Sequence, residues 1–181
     1  MILVERVKDH EEAKEEILSI IEMMKHKHNL TKPEGFQTAS IKEGAIRTES
    51  QITHADYYSE YFKSIWGAEL YRKEVIEAID PICKKYANLL DCSEVKYGSF
   101  WFHEYHEGDY FEWHNHQGSQ FTGIYYLNLP DGMGTEFYNE SHDIKEGDVV
   151  IFPAYKPHRS PKIESGIKTI IAWSMDIVFI Q

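Results

Sequence analysis

Apolar residues recur at two different periods along this chain, and the change of period divides it. Ala13, Ile17, Ile20, Ile21 and Met24 repeat at three- and four-residue intervals, which predicts an amphipathic helix. Asp9 and Glu12 have the spacing of a capping box at its start. Lys25, His26, Lys27 and His28 put cations in its last turn, where the helix dipole favours them. The helical period returns from about Asp56, with a stripe of Tyr58, Tyr61, Phe62 and Ile65 and a second of Ile76, Ile79, Ile82, Tyr86, Leu89 and Leu90. Asp80-Pro81 interrupts the second stripe, as a kink or as the first turn of a new helix. Between the helical segments, residues 31–53 carry Pro33, Gly35 and Gly44 with no sustained period. They read as a long loop, either a lid or a plain connector.

From Val95 onward the period is two. KYGSFWFHEY, DYFEWHNH, QFTGIYYLNL, GTEFYNE, GDVVIFP and GIKTIIAWSMDIVFI alternate as short strands separated by Gly, Asp, Asn and Pro. Many short strands in succession suggest a sandwich or barrel. Helices followed by strands predict an α+β chain, with the helices packed on one face of a sheet. The length of 181 residues suits one domain. Residues 1–94 would be its helical support and 95–181 its strand-built core.

Composition changes this picture little: 42% of residues are hydrophobic, 27% charged and 14% aromatic, the last suiting a sheet-rich core. Net charge is more informative. At −11, with no cluster of Lys and Arg, it argues against a nucleic-acid surface. Cys83 and Cys92 have no framework or CxxC spacing and read as free thiols of a reducing compartment. The start MILVERVKDH is too briefly apolar for a signal peptide or a membrane span. The expectation is a soluble, cytoplasmic protein.

The candidate chemistry lies in the second half. His114 and His116 stand two apart, so on a strand both would look into one space. GDVVIFPAYKPH delivers His158 from the end of another strand, and Lys168 follows ten residues later among Ile167, Ile170, Ile171, Ala172 and Trp173. Three imidazoles from two places make a facial set on a metal, with the opposite positions open. The plainer alternative is three separate histidines. A lysine among apolar neighbours needs an anion, unless it is a solvated strand residue.

Two families share this outline. Gly108 through His116, and Gly147, Pro153 and His158, resemble the two cupin motifs, although Gln120 and Lys162 stand where a cupin has its glutamate and asparagine. YHEGDYFEWHNH, IYYLN, GTEFY and EGDVVIFPAYKPH, followed by Lys168, resemble the iron(II)/2-oxoglutarate dioxygenases, prolyl-hydroxylase-like members in particular. This second resemblance spans 82 residues, 95–176, in the right order and spacing. IYYLN and Lys168 favour it over the cupins.

The resemblance implies a double-stranded β-helix, or jelly roll, and hydroxylation of an unactivated C–H bond with O2 and 2-oxoglutarate at one iron(II). It implies that His114, His116 and His158 hold the metal. It further implies that Tyr126 and Lys168 bind the distal carboxylate of 2-oxoglutarate, with Tyr105 as a further contact. The substrate would be a prolyl or other peptide side chain, or a small molecule. The alternative is a cupin-like three-histidine metalloprotein that does not use 2-oxoglutarate.

One departure matters: the family pattern is His-x-Asp, and this chain has His-x-His. Three imidazoles suit zinc as well as iron. Metal affinity should fall as histidines protonate, ordinarily near pH ~6.5. Glu112, Glu104 and Asp109 are rival carboxylates, Glu112 standing roughly 13 Å along the strand from His116 at ~3.3 Å per residue. His103 could line the pocket. His10, His54, His106 and His142 have no assigned role, and Arg159 and Arg47 read as surface residues able to meet an acidic substrate group.

Overall fold

The computed structural model describes residues 1–28 and 67–178. The loop expected at 31–53, the stripe of Tyr58, Tyr61, Phe62 and Ile65, His54 and Arg47 lie outside the described residues. The order of elements is β1 (Leu3–Arg6), α1 (His10–His28), α2 (Ala68–Leu89), β2 (Glu94–Tyr105), β3 (Phe111–His114), β4 (Phe121–Asn128), β5 (Glu136–Phe137), β6 (Asp148–Pro153), β7 (His158–Ser160) and β8 (Lys168–Val178). Five strands form a larger sheet in the order β1-β6-β4-β8-β2, and three form a smaller one in the order β3-β7-β5. Every pairing is antiparallel.

Strand alternation gives the larger sheet two apolar faces. Tyr125, Leu127, Val149, Ile151, Ile171 and Trp173 face the helices and bury Ile17, Ile21 and Met24 of α1 with Tyr71, Val75, Ile79 and Tyr86 of α2. The next residue along each strand faces the other way. Ile124, Tyr126, Val150, Phe152, Ile170 and Ala172 pack with Tyr105 and with Phe137 of the smaller sheet. This second core lies between the sheets. Both faces of β4 and β6 are therefore buried, which is why they read as continuous apolar runs. Gly123 is required on β4, since a Cβ there would stand 2.1 Å from the Trp173 ring.

Three local expectations change. The first residues form β1, which pairs with β6 and was not visible as a strand in the apolar pattern. α2 runs unbroken through Pro81, so Asp80-Pro81 neither ends it nor starts another helix. Asp9 does precede α1, and its carbonyl accepts the Ala13 N–H at 3.2 Å, but with φ at 54° it lacks the extended backbone of an ordinary cap. No helix among the described residues is long and apolar enough to cross a membrane.

Candidate metal centre

His114 ends β3 and His158 begins β7, and the two are register partners. Their rings stand 4.2 Å apart, centroid to centroid, and each lies 5.1 Å from the His116 ring. One ligand atom from each of the three falls within 4.8 Å of the others. The route differs from the sequence expectation. β3 stops at His114, so His116 lies just beyond the strand rather than on it. His116 N–H bonds to the Ala154 carbonyl at 2.8 Å, beside the loop that leads to His158.

The hydrogen bonds fix which nitrogens are free. His114 Nδ1 lies 2.8 Å from the Glu112 carbonyl, and His158 Nδ1 lies 2.9 Å from the Lys156 carbonyl. A carbonyl only accepts, so both Nδ1 atoms carry the proton and both Nε2 atoms keep a lone pair. Partners of this kind on the second ring nitrogen are the usual support of metal-binding histidines. Burial pushes His158 down to about 3 and His116 down to about 4, with the neighbouring His114 adding to both effects. His114 is lowered too, again by burial. All three are neutral donors at neutral pH, which fits a divalent transition metal.

Two of the rival carboxylates are engaged elsewhere. Glu104 holds Lys25 at 2.9 Å and His106 at 2.9 Å. Asp109 is buried and accepts the His106 N–H at 2.9 Å. Glu112 gives its carbonyl to His114, and its carboxylate is outside the convergent group. Arg159 pairs with Glu136 at 2.6 Å and stacks over Trp113. His142 pairs with Glu140 at 3.3 Å.

Lys168 is fully buried, on the face of β8 that looks between the sheets. Its Nζ donates to Ser160 Oγ at 2.8 Å and lies 5.4 Å from the Tyr105 ring and 5.7 Å from the Tyr126 ring. Burial lowers the ammonium to about 7, against the pull of Glu136. Tyr126 is buried; its hydroxyl donates to Thr135 Oγ1 at 2.6 Å and accepts the Thr135 N–H at 3.3 Å. The structure thus brings Lys168, Tyr126 and Tyr105 together in the core between the sheets. Ser160 and Thr135 complete the group and were missed in the sequence, where a lone hydroxyl carries no pattern. Trp101 was also missed; its ring lies 5.7 Å from His116. His103 is half-buried next to Tyr105 and Phe111, at 5.7 and 6.0 Å.

Compared by sequence, the chain matches no family model and no curated protein. Compared by structure, it is similar to a prolyl hydroxylase from Trichoplax adhaerens in complex with a hypoxia inducible factor oxygen degradation domain peptide fragment. That match has a TM-score of 0.62 at 15% identity over 96% of this chain and 82% of the other. The fold is that of the prolyl hydroxylases. A viral collagen prolyl hydroxylase from Paramecium Bursaria Chlorella virus-1 matches with a TM-score of 0.57, 15% identity and coverage of 99% and 90%. A Pseudomonas putida prolyl-4-hydroxylase matches with a TM-score of 0.54, 12% identity and coverage of 99% and 93%. At these identities the likeness extends to the architecture alone.

Proposed function

We propose that this chain is an iron(II)- and 2-oxoglutarate-dependent dioxygenase of double-stranded β-helix fold, hydroxylating an unactivated C–H bond. The observation that carries the reading is the pairing of two features in one inter-sheet space. Three neutral imidazoles converge on one side, and a fully buried lysine stands on the facing strand. Ser160 lies two residues beyond His158 on β7 and bonds Lys168. Two residues of strand span roughly 6.6 Å, about the reach of a five-carbon dicarboxylate.

His114, His116 and His158 would hold the iron through neutral donors, which leave a divalent ion its full charge of +2. Lys168 adds +1, so the pocket calls for an anion. 2-Oxoglutarate would put its keto-acid end at the metal and its distal carboxylate on Lys168, with Tyr105 and Tyr126 as walls. Iron, when bound, supplies the site at which O2 is activated against 2-oxoglutarate. Isoleucine, phenylalanine and tyrosine side chains of the inter-sheet core would keep water from the bound cosubstrate. A prolyl or other peptide side chain is the substrate class this reading favours, since the similar folds are prolyl hydroxylases.

Incubation of the iron(II)-loaded chain with 2-oxoglutarate and O2 tests the reading. Succinate should form in wild type and not in His158→Ala. Absence of succinate together with full metal occupancy would favour the cupin-like alternative, a three-imidazole site of the kind zinc also accepts.

A further inference from the structure

A second group of metal-binding type lies on the opposite face of the larger sheet, where α1 meets the turn before β6. We propose that His10, Glu11 and Glu146 form a divalent-cation site there, distinct from the three histidines and independent of the chemistry proposed for them. The ligand atoms of the three residues lie within 4.8 Å of one another. Two carboxylates with one imidazole make a mixed oxygen and nitrogen set suited to zinc, cobalt or manganese.

The second observation is the state of His10. It opens α1 and is only 3% exposed. One ring nitrogen, Nδ1, lies 2.8 Å from the Tyr125 hydroxyl. The other, Nε2, is buried without a hydrogen-bond partner. It points at Glu146 Oε1 from 3.8 Å, which is too far for a hydrogen bond. Two ligands of one ion, each about 2.1 Å from it, stand roughly 3.0–3.4 Å apart. A small closing movement therefore gives both atoms a shared ion, while Nδ1–H donates to the Tyr125 oxygen as an orienting partner.

The backbone holds the ring in this place. Gly147 has φ at 88°, and a Cβ there would stand 2.9 Å from His10 Cγ and Cδ2. The Val7 N–H bonds the Gly147 carbonyl at 2.9 Å and fixes the same turn. Glu146 is anchored as well, with Oε2 accepting the Leu129 N–H at 3.0 Å and its carbonyl accepting Arg6 Nη1 at 2.7 Å.

Lys14 is the competitor. Its Nζ lies 2.5 Å from Glu146 Oε1, the same oxygen that faces His10. The ammonium, Arg6 and the positive end of α1 all work against a cation. Two carboxylates with a neutral imidazole still leave a charge of −2 for a divalent ion. Lys14 is then the cation that Glu146 holds when no metal is bound, and metal and lysine exchange on Oε1. A bound ion would tie the first turn of α1 to the turn before β6 and, through Tyr125, to β4.

Zinc(II) binding to the full-length chain by equilibrium dialysis tests this. The variant His114→Ala/His158→Ala silences the other candidate site. It should retain one zinc per chain that wild type holds in addition to its first. Adding Glu11→Gln, an exposed change that leaves the core alone, should weaken that zinc by roughly tenfold or more. Adding Lys14→Met should tighten it by removing the competitor. If the double variant holds no zinc, or holds zinc that neither Glu11→Gln nor Lys14→Met alters, the proposal is overturned.

Discussion

Lys168 Nζ donates to Ser160 Oγ at 2.8 Å, which ties a fully buried ammonium to the strand that begins with His158. A hydroxyl is a small partner for a desolvated charge. Burial accordingly lowers the ammonium to about 7. The cosubstrate role proposed for Lys168 rests on this shortage of negative charge.

Lys168→Ala should weaken 2-oxoglutarate binding by on the order of 3–5 kcal/mol, the scale of losing one partner of a buried charge pair. Metal content, measured by elemental analysis on the same samples, should stay at the wild-type level. Tyr126→Phe should cost about 1–2 kcal/mol of stability, because the Thr135 N–H and hydroxyl lose their partner. An unchanged 2-oxoglutarate affinity in Lys168→Ala would return the lysine to a packing role.

The same lysine sets a pH dependence of stability. Its pKa in the fold is lowered to about 7, against ~10.4 in the unfolded chain. Between these values the unfolded state binds more protons, so stability rises with pH. In the absence of cosubstrate, the melting temperature of wild type should climb from pH 7 to 10 relative to that of Lys168→Met. Parallel curves for the two proteins would contradict the buried ammonium.

The histidines alter the expectation drawn from ordinary imidazole titration. With His116 lowered to about 4 and His158 to about 3 by burial, and His114 lowered as well, protons compete for the ligands at lower pH than for exposed imidazoles. Zinc affinity should therefore fall less between pH 7.5 and 5 than at a site of exposed histidines. Their effect on stability has the same sign as that of Lys168, in a lower pH window. The unfolded histidines protonate first, near pH ~6.5, so the metal-free fold loses stability as pH falls below that value. Zinc titrations and urea midpoints across this range check both statements.

His116 stands where the resembling family has aspartate. His116→Asp should keep the fold and still bind iron(II) and 2-oxoglutarate, whereas His116→Ala should lose metal affinity by tenfold or more, about 1.4 kcal/mol at the least. Metal retained in full by His116→Ala would remove it from the ligand set.

Four of the five strands of the larger sheet were legible because strict alternation, or a run buried on both faces, is written directly in residues such as Ile124 to Leu127. β7 was not legible. It is three residues long, and HRS has no apolar signature. β1 was hidden for a similar reason, since LVER puts only two apolar residues ahead of charges. Both strands exist because a partner strand offers its backbone, which no local pattern records. The three histidines were legible by spacing, but the backbone bond that holds His116 was not. β3 ends at His114, and His116 just beyond it is held by the bond from its N–H to the Ala154 carbonyl. Ser160, Thr135 and His10 depend on contacts between residues distant in the chain, as with His10 and Tyr125.

The central claim is that the three histidines hold iron and Lys168 receives the far end of 2-oxoglutarate. Anaerobic titration of the iron(II)-loaded protein with 2-oxoglutarate tests it most directly, read as a metal-to-ligand charge-transfer band in the visible spectrum. The account predicts a saturable band in wild type, abolished in His158→Ala and shifted to much higher 2-oxoglutarate concentration in Lys168→Ala. A wild-type protein that holds iron in full and develops no band would contradict it.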